Sequence, residues 1–274
     1  MDDGRVRSSD GTELGVRVTG AGSPVVLVHG TTATKEAWVF AEPLLAEEHT
    51  VWAFDRCGRG ESGDHSQYSL DAEVDDVLAV VRAAANDERV HLVGHSYGGC
   101  CALEAAARDT SLLATLILYE PPFHANRAAR NVARALDQLE AGNTEGALKV
   151  FLRDVAGFSD EEVTMVRSVD VVWDTMEATV GTLPREAAAL EEQGWDPTRY
   201  GSIDVPTLLI SGELTAAPVY LTADELSEAV PAIDRVLLPG QRHMAIATDA
   251  AGFAEAVLNF IAQHSPRDHR EAPL

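Results

Sequence analysis

The chain has 274 residues, 46% hydrophobic and 24% charged, an ordinary globular composition that suits one large core or a core with a small appendage. Its net charge of −23 repels nucleic acid and anionic membrane, so neither is an expected partner. No apolar stretch approaches the ~18 residues that span a bilayer, and the N-terminal "MDDGRVRSSDG" lacks the apolar core of a secretory signal.

Cysteine and lysine usage narrows the chemistry. The three cysteines cannot all pair, and Cys100 and Cys101 are neighbours, which fits a reducing cytoplasm. Metal-type Cys/His spacing is absent, and neither a metal nor a cofactor is expected. Lys35 and Lys149 are the only lysines, which leaves poor candidates for a Schiff base.

Taken in chain order, "ELGVRVTG" alternates loosely and reads as a hairpin at a sheet edge. Short apolar runs follow: "PVVLVHG", "HTVWAFD", "VHLVGHS", "TLILYE", "PTLLISG" and "DRVLLPG". Each has the length of a strand buried on both faces. Between them, "TKEAWVFAEPLLAEE", "SLDAEVDDVLAVVRAAA", "YGGCCALEAAARD" and "DAAGFAEAVLNFIAQH" have helical period, with Ser69 placed to cap the second. Strands alternating with helices predict an α/β protein with a mostly parallel sheet covered on both sides.

Residues 123–198 break the alternation. They are rich in Ala, Glu and Arg and read as helical throughout, as in "ARNVARALDQLEAG". Loops at the carboxyl ends of parallel strands surround the site in such sheets. A helical insertion there is therefore expected to form a lid over a core made of 1–122 and 199–264. The polar tail 265–274 is expected to fray.

"VHLVGHSYGG" holds Gly94-His95-Ser96-Tyr97-Gly98, a Gly-x-Ser-x-Gly turn between an apolar run and a helical one. That context is what the motif requires. The glycines permit a very tight strand-to-helix turn, which presents the Ser96 hydroxyl at a helix N-terminus. On these residues the chain resembles the α/β-hydrolase superfamily along nearly its whole length. "VVLVHGTT" (Val25–Thr32) is similar to the family's His-Gly turn, and "FDRCGRGESG" (Phe54–Gly63) to its Asp-x-x-Gly-x-Gly-x-Ser turn. The resemblance implies a mostly parallel eight-stranded sheet flanked by helices, with a helical lid after strand 6.

"LPGQRHMAI" looks like the family's final Gly-x-x-His, which points to His243 as general base. Chemistry agrees, since a serine hydroxyl needs a base within hydrogen-bond reach. Of nine histidines, His243 alone lies just past the carboxyl end of the last strand, while His29 and His95 adjoin turns they are expected to brace. The backbone amides of Thr31 and Tyr97 are the expected oxyanion donors, in part by resemblance.

The third member is less direct. Relatives place an aspartate three residues after the glycine closing the seventh strand; here that glycine is Gly212 and the residue is Thr215. A threonine cannot balance an imidazolium charge. Two glutamates are candidates, and Glu120 is the one expected to complete the set with Ser96 and His243. Glu213 is on that loop. Glu120 ends "TLILYE" before Pro121-Pro122, and the following proline is expected to hold it in extended geometry at the strand's carboxyl end. Asp55 is expected to organise its own turn.

Bulky apolar residues in the insertion, with Trp38 and Tyr97, predict an enclosed apolar pocket for a small molecule. Trp38, His124, Trp173 and Met176 are the candidate substrate contacts. The primary expectation is a serine hydrolase acting on an ester, lactone or thioester of a small to medium apolar acyl compound. The alternatives are cofactor-free non-hydrolytic chemistry on the same fold, such as C–C cleavage, a lyase step or cyclisation, and a binding module that has lost catalysis.

Overall fold

A computed structural model describes residues 2–122, 129–215 and 223–264. The expectations for His124 and for the tail 265–274 lie outside the described residues. Eight strands form one sheet: β1 (Asp2–Arg7), β2 (Glu13–Gly20), β3 (Pro24–Val28), β4 (Thr50–Phe54), β5 (Val90–His95), β6 (Leu113–Tyr119), β7 (Thr207–Gly212) and β8 (Ile233–Leu238). Their order is β1-β2-β4-β3-β5-β6-β7-β8. Only the β1–β2 and β2–β4 pairings are antiparallel. The N-terminal hairpin is thus the edge, and every apolar run is a strand. All residues of β3 and of β5 are buried, as expected of parallel strands with both faces covered.

Helices cover both faces. On one side lie α2 (Leu70–Ala85) and α3 (Tyr97–Arg108), whose buried residues share a cluster with Val26, Leu92 and Leu116. Ser69 caps α2, its hydroxyl accepting from the Ala72 amide at 3.1 Å. On the other side α11 (Ala250–His264) packs Phe253, Val257 and Ile261 against Val25, Val93 and Ile117. The predicted helix over "TKEAWVFAEPLLAEE" is not continuous. It is a 3₁₀ turn, Lys35–Trp38, followed by the one-turn α1 (Glu42–Leu45), with Pro43 in its first turn. Proline has no N–H for a preceding carbonyl and fits only at a helix start, so the segment breaks there.

Between β6 and β7 the described residues form five helices: α4 (Ala129–Glu140), α5 (Thr144–Val150), α6 (Asp160–Arg167), α7 (Asp170–Thr179) and α8 (Leu183–Gln193). A π-helical turn, Phe151–Val155, follows α5. These helices have their own core around Leu148, Phe151, Trp173 and Val180. Helix α8 bridges the two bodies: Leu183 belongs to the insertion's cluster, whereas Ala189 and Leu190 pack into the main core. Two short helices, α9 (Ala223–Ala229) and α10 (Ala245–Thr248), complete the set. No helix among the described residues is long and apolar enough to cross a membrane.

Candidate active site

The turn after β5 is built by close approach. Ser96 has φ 55° and ψ −127°, a conformation rarely adopted by a non-glycine residue. A Cβ on Gly98 would lie 2.3 Å from the Val28 carbonyl oxygen, and one on Gly94 would lie 2.5 Å from that of Gly98. Side chains at either position are therefore excluded. Gly30 is as tightly placed: its Cβ would meet the Ser96 Cβ at 2.8 Å. The Gly30-Thr31 turn thus lies directly against the serine. The Thr31 amide has no acceptor among the described residues, and Tyr97 is the first residue of α3, where an amide lacks an intrahelical partner.

Two buried histidines brace these turns. His29 Nδ1 lies 2.9 Å from the Gly30 carbonyl, and its Nε2 accepts the Arg56 amide at 3.1 Å. Burial, then the Arg56 and Arg59 charges, hold His29 neutral. His95 Nε2 donates to the His243 carbonyl at 2.9 Å, and burial followed by the nearby His243 keeps it neutral too.

His243 follows β8 in the loop before α10. Its Nδ1 lies 2.7 Å from Glu120 Oε2, with both residues almost fully buried. Glu120 Oε1 accepts the Gly212 amide at 2.8 Å. The neighbouring Tyr119 hydroxyl donates to the Arg242 carbonyl and accepts from the Ala245 amide at 3.1 Å. The histidine is therefore held through its ring and through backbone on both sides. Burying a carboxylate is unfavourable without partners, and Glu120 has two.

One sequence expectation fails here. Glu120 is not extended; its φ is 49°. The following proline disfavours the right-handed helical region, and at this positive φ the Glu120 carboxylate meets both His243 and the Gly212 amide. With Thr32 and Ser96, Glu120 makes three positive-φ non-glycine residues near the cavity. Glu213 is exposed and accepts from the Gly240 amide at 2.8 Å. The Thr215 hydroxyl is buried with no hydrogen-bond partner. Asp55 organises its turn as expected, accepting the amides of Lys35 and Glu61 at 2.8 and 2.9 Å and pairing with Lys35 Nζ at 2.7 Å.

Ser96, His243 and Thr31 line one cavity of ≈320 Å³. Phe151, Leu152, Met176 and Met244 supply apolar walls, and no Lys or Arg is among the described lining residues. Met176 is where the sequence predicts it. Trp38 and Trp173 are not. Trp38 is fully buried in the sheet-side core, its ring 6.0 Å from Phe253 and 6.3 Å from His95. Trp173 is buried in the insertion's own core, with the Arg167 guanidinium 4.9 Å from its ring. Large aromatic rings fill cores more readily than cavities, and helical spacing does not reveal which face looks inward. Val39 and Phe40, which also border the cavity, went unread because the broken helix there hid which residues face the serine.

A buried charge cluster underlies the site. Arg56 is fully buried, pairs with Glu73 and with Glu186 of α8, and lies 4.4 Å over the Tyr97 ring. Arg59 also pairs with Glu186. The sequence gives no sign of this, because its members are 130 residues apart in the chain at the extreme. Elsewhere, Cys57, His65 and Asp76 form the one described group that could hold a metal. Both nitrogens of His65 are already bonded, to Asp10 at 2.7 Å and Asp76 at 2.8 Å, and burial pushes the Cys57 thiol up.

The chain is similar to known proteins in sequence and in structure. The 2-hydroxy-6-oxo-6-(2'-aminophenyl)hexa-2,4-dienoic acid hydrolase of Metapseudomonas resinovorans is 25% identical over 95% of this chain and 91% of its own length. The putative carbamate hydrolase RutD of Agrobacterium fabrum is 25% identical over 89% of this chain and 95% of its own. The crystal structure of an alpha/beta hydrolase from Sphaerobacter thermophilus superimposes with a TM-score of 0.78 at 31% identity, covering 94% of this chain and all of that one. A sequence model of the alpha/beta hydrolase family matches residues 25–256, so the chain belongs to that family.

Proposed function

We propose that the protein is a serine hydrolase that cleaves an ester, lactone or thioester of a small to medium apolar acyl compound through an acyl-enzyme. The observation that carries this is the buried Glu120–His243 pair beside a cavity that Ser96 also lines. In the proposed cycle His243 takes the Ser96 proton as the hydroxyl oxygen attacks the substrate carbonyl. Glu120 fixes the imidazole tautomer and balances its charge once protonated. The Thr31 and Tyr97 amides receive the developing oxyanion. The bond from the carbonyl carbon to the leaving oxygen, or sulfur in a thioester, then breaks, that atom takes the proton from His243, and water attacks the acyl-enzyme in the same way to release the acid and return the proton to Ser96.

The cavity supports a neutral substrate, because its described lining offers Glu36 and no cation. The helices between β6 and β7 act as a lid in this scheme, closing the cavity over the core. Three free buried cysteines support a cytoplasmic site of action on a small molecule.

A fluorophosphonate probe tests the reading. It is expected to label Ser96 stoichiometrically and to fail on Ser96→Ala. p-Nitrophenyl esters are expected to give a burst of nitrophenol equal to the enzyme present. Labelling without any ester turnover would instead favour non-hydrolytic chemistry at the same serine.

A further inference from the structure

Ser96 stands where two cavities of unequal size meet. The larger is the ≈320 Å³ cavity already described. The smaller, ≈50 Å³, is walled by Tyr97, Pro122, Val132, Leu183 and Leu190. Ser96, Thr31, Phe151 and Ala156 border both. His243 borders only the larger one.

Resting on the serine-hydrolase reading above, we propose that the substrate is an ester of a short, uncharged acid with a larger apolar alcohol, the acyl group lying in the small chamber and the alcohol in the large one. Proton delivery sets the orientation. When the carbonyl–oxygen bond breaks, the alcohol oxygen must take its proton from His243, so it departs on the side His243 occupies. Volume sets the sizes. With ~30 Å³ for each water-sized group, the small chamber holds one or two carbons beyond the carbonyl, and the large one about ten heavy atoms.

Access agrees with this assignment. Val39, Phe40 and Val171 line the large cavity and are 48%, 58% and 73% exposed, so it opens through an apolar rim. An alcohol can leave there and water enter while the acyl group stays on Ser96. Leu183 and Leu190, both buried, form part of the wall of the small chamber and limit how far an acyl chain can extend from Ser96. Glu186 also borders it, with one carboxylate oxygen held by Arg56 and Arg59 and the other unpartnered. A carboxylate in that wall disfavours an acyl group that carries a second negative charge.

Two matched ester series provide the test. In the acyl series of p-nitrophenyl esters, kcat/KM is expected to fall at least tenfold between propionyl and hexanoyl. In the alcohol series of n-alkyl acetates, it is expected to rise about three- to fourfold per methylene, up to roughly octyl. Leu190→Ala is expected to move the acyl limit outward by two or three carbons and leave the alcohol series unchanged in slope. If that variant does not fold, the two wild-type series still decide. A preference for long acyl chains on short alcohols, or equal tolerance in both series, overturns the assignment while leaving the serine hydrolase intact. Absence of both turnover and fluorophosphonate labelling overturns the two together.

Discussion

Glu120, at the end of β6, reaches the imidazole of His243 across the β6–β7 boundary: Oε2 lies 2.7 Å from Nδ1, and Oε1 accepts the Gly212 amide at 2.8 Å. The carboxylate thus comes from the strand beside the nucleophile's strand, and the position three residues after Gly212 carries a threonine whose hydroxyl has no partner. A longer side chain from the neighbouring strand supplies the acceptor that an aspartate on the β7 loop would otherwise provide.

Replacing Glu120 by Gln is expected to lower kcat by ~10³–10⁴ with little change in KM, because an amide neither fixes the imidazole tautomer nor balances its charge. Glu213→Gln is expected to keep kcat within about twofold, since Glu213 faces solvent and bonds only the Gly240 amide among the described contacts. Steady-state kinetics on one p-nitrophenyl ester compares the two directly. Equal losses would show that Glu120 does not have the role assigned to it.

Gly30→Ala tests the oxyanion turn. The added Cβ would sit 2.8 Å from the Ser96 Cβ and 3.4 Å from its Oγ, so the Thr31 turn has to move away from the serine. Displacing one preorganised donor is expected to cost ~10²–10³ in kcat. The loss should appear in turnover with the melting temperature lowered by only a few degrees. An active variant would mean that the Thr31 amide is not a donor in the reaction.

The sheet was legible because its strands are short, apolar and separated by helical period, as "PVVLVHG" and "VHLVGHS" illustrate. The serine turn was legible for a different reason, since its glycines permit only a tight local backbone, whereas His243 was singled out by the resemblance of "LPGQRHMAI" and by its place after the last strand. Glu120 was within reach as a charged residue ending a buried strand, although its left-handed backbone was not, since proline at the next position argued for an extended one. What stayed hidden is long-range. Whether Trp173 faces the cavity or its own helices depends on how α4 to α8 pack, and periodicity marks an apolar stripe without naming its neighbour. The pairing of Arg56 and Arg59 with Glu186 likewise joins distant parts of the chain that carry no shared signal.

That pairing makes a stability prediction. Glu73 accepts from Arg56 at 2.8 and 2.5 Å and from the Tyr68 hydroxyl at 2.8 Å, fully out of water. Burial opposes its ionisation, yet Arg56 and Arg59 hold its carboxyl down to about 2. Glu73→Ala strands buried positive charge and is expected to cost ~3–5 kcal/mol in urea denaturation. The same carboxylate is a stabilising group above pH 4.5, and that contribution is lost as pH falls toward about 2. A variant within ~1 kcal/mol of wild type, against the ~3–5 expected, would mean that the cluster rearranges to satisfy its arginines.

His65 ties three elements together and gives the fold a pH dependence of the opposite sense. Its Nδ1 lies 2.7 Å from Asp10 in the β1–β2 turn and its Nε2 lies 2.8 Å from Asp76 on α2. Thr12 and the protonated Cys57 are the remaining polar groups beside it. Burial resists the charged imidazole, but the two carboxylates prevail and raise His65 above its ordinary value of 6.5. A group raised in the folded state stabilises fully below its unfolded value and loses that contribution as pH rises through the folded one. Asp10, lowered to about 2 first by the Thr12 amide and then by His65, has its own loss confined to strong acid. The wild-type melting temperature is therefore expected to decline as pH rises above 6.5, and His65→Gln to flatten that decline, since glutamine bonds without titrating. Hydrogen exchange should locate the change in β1, whose amides lose protection first once the imidazole no longer holds Asp10. Parallel melting curves for the two proteins above pH 6.5 would remove His65 as the source.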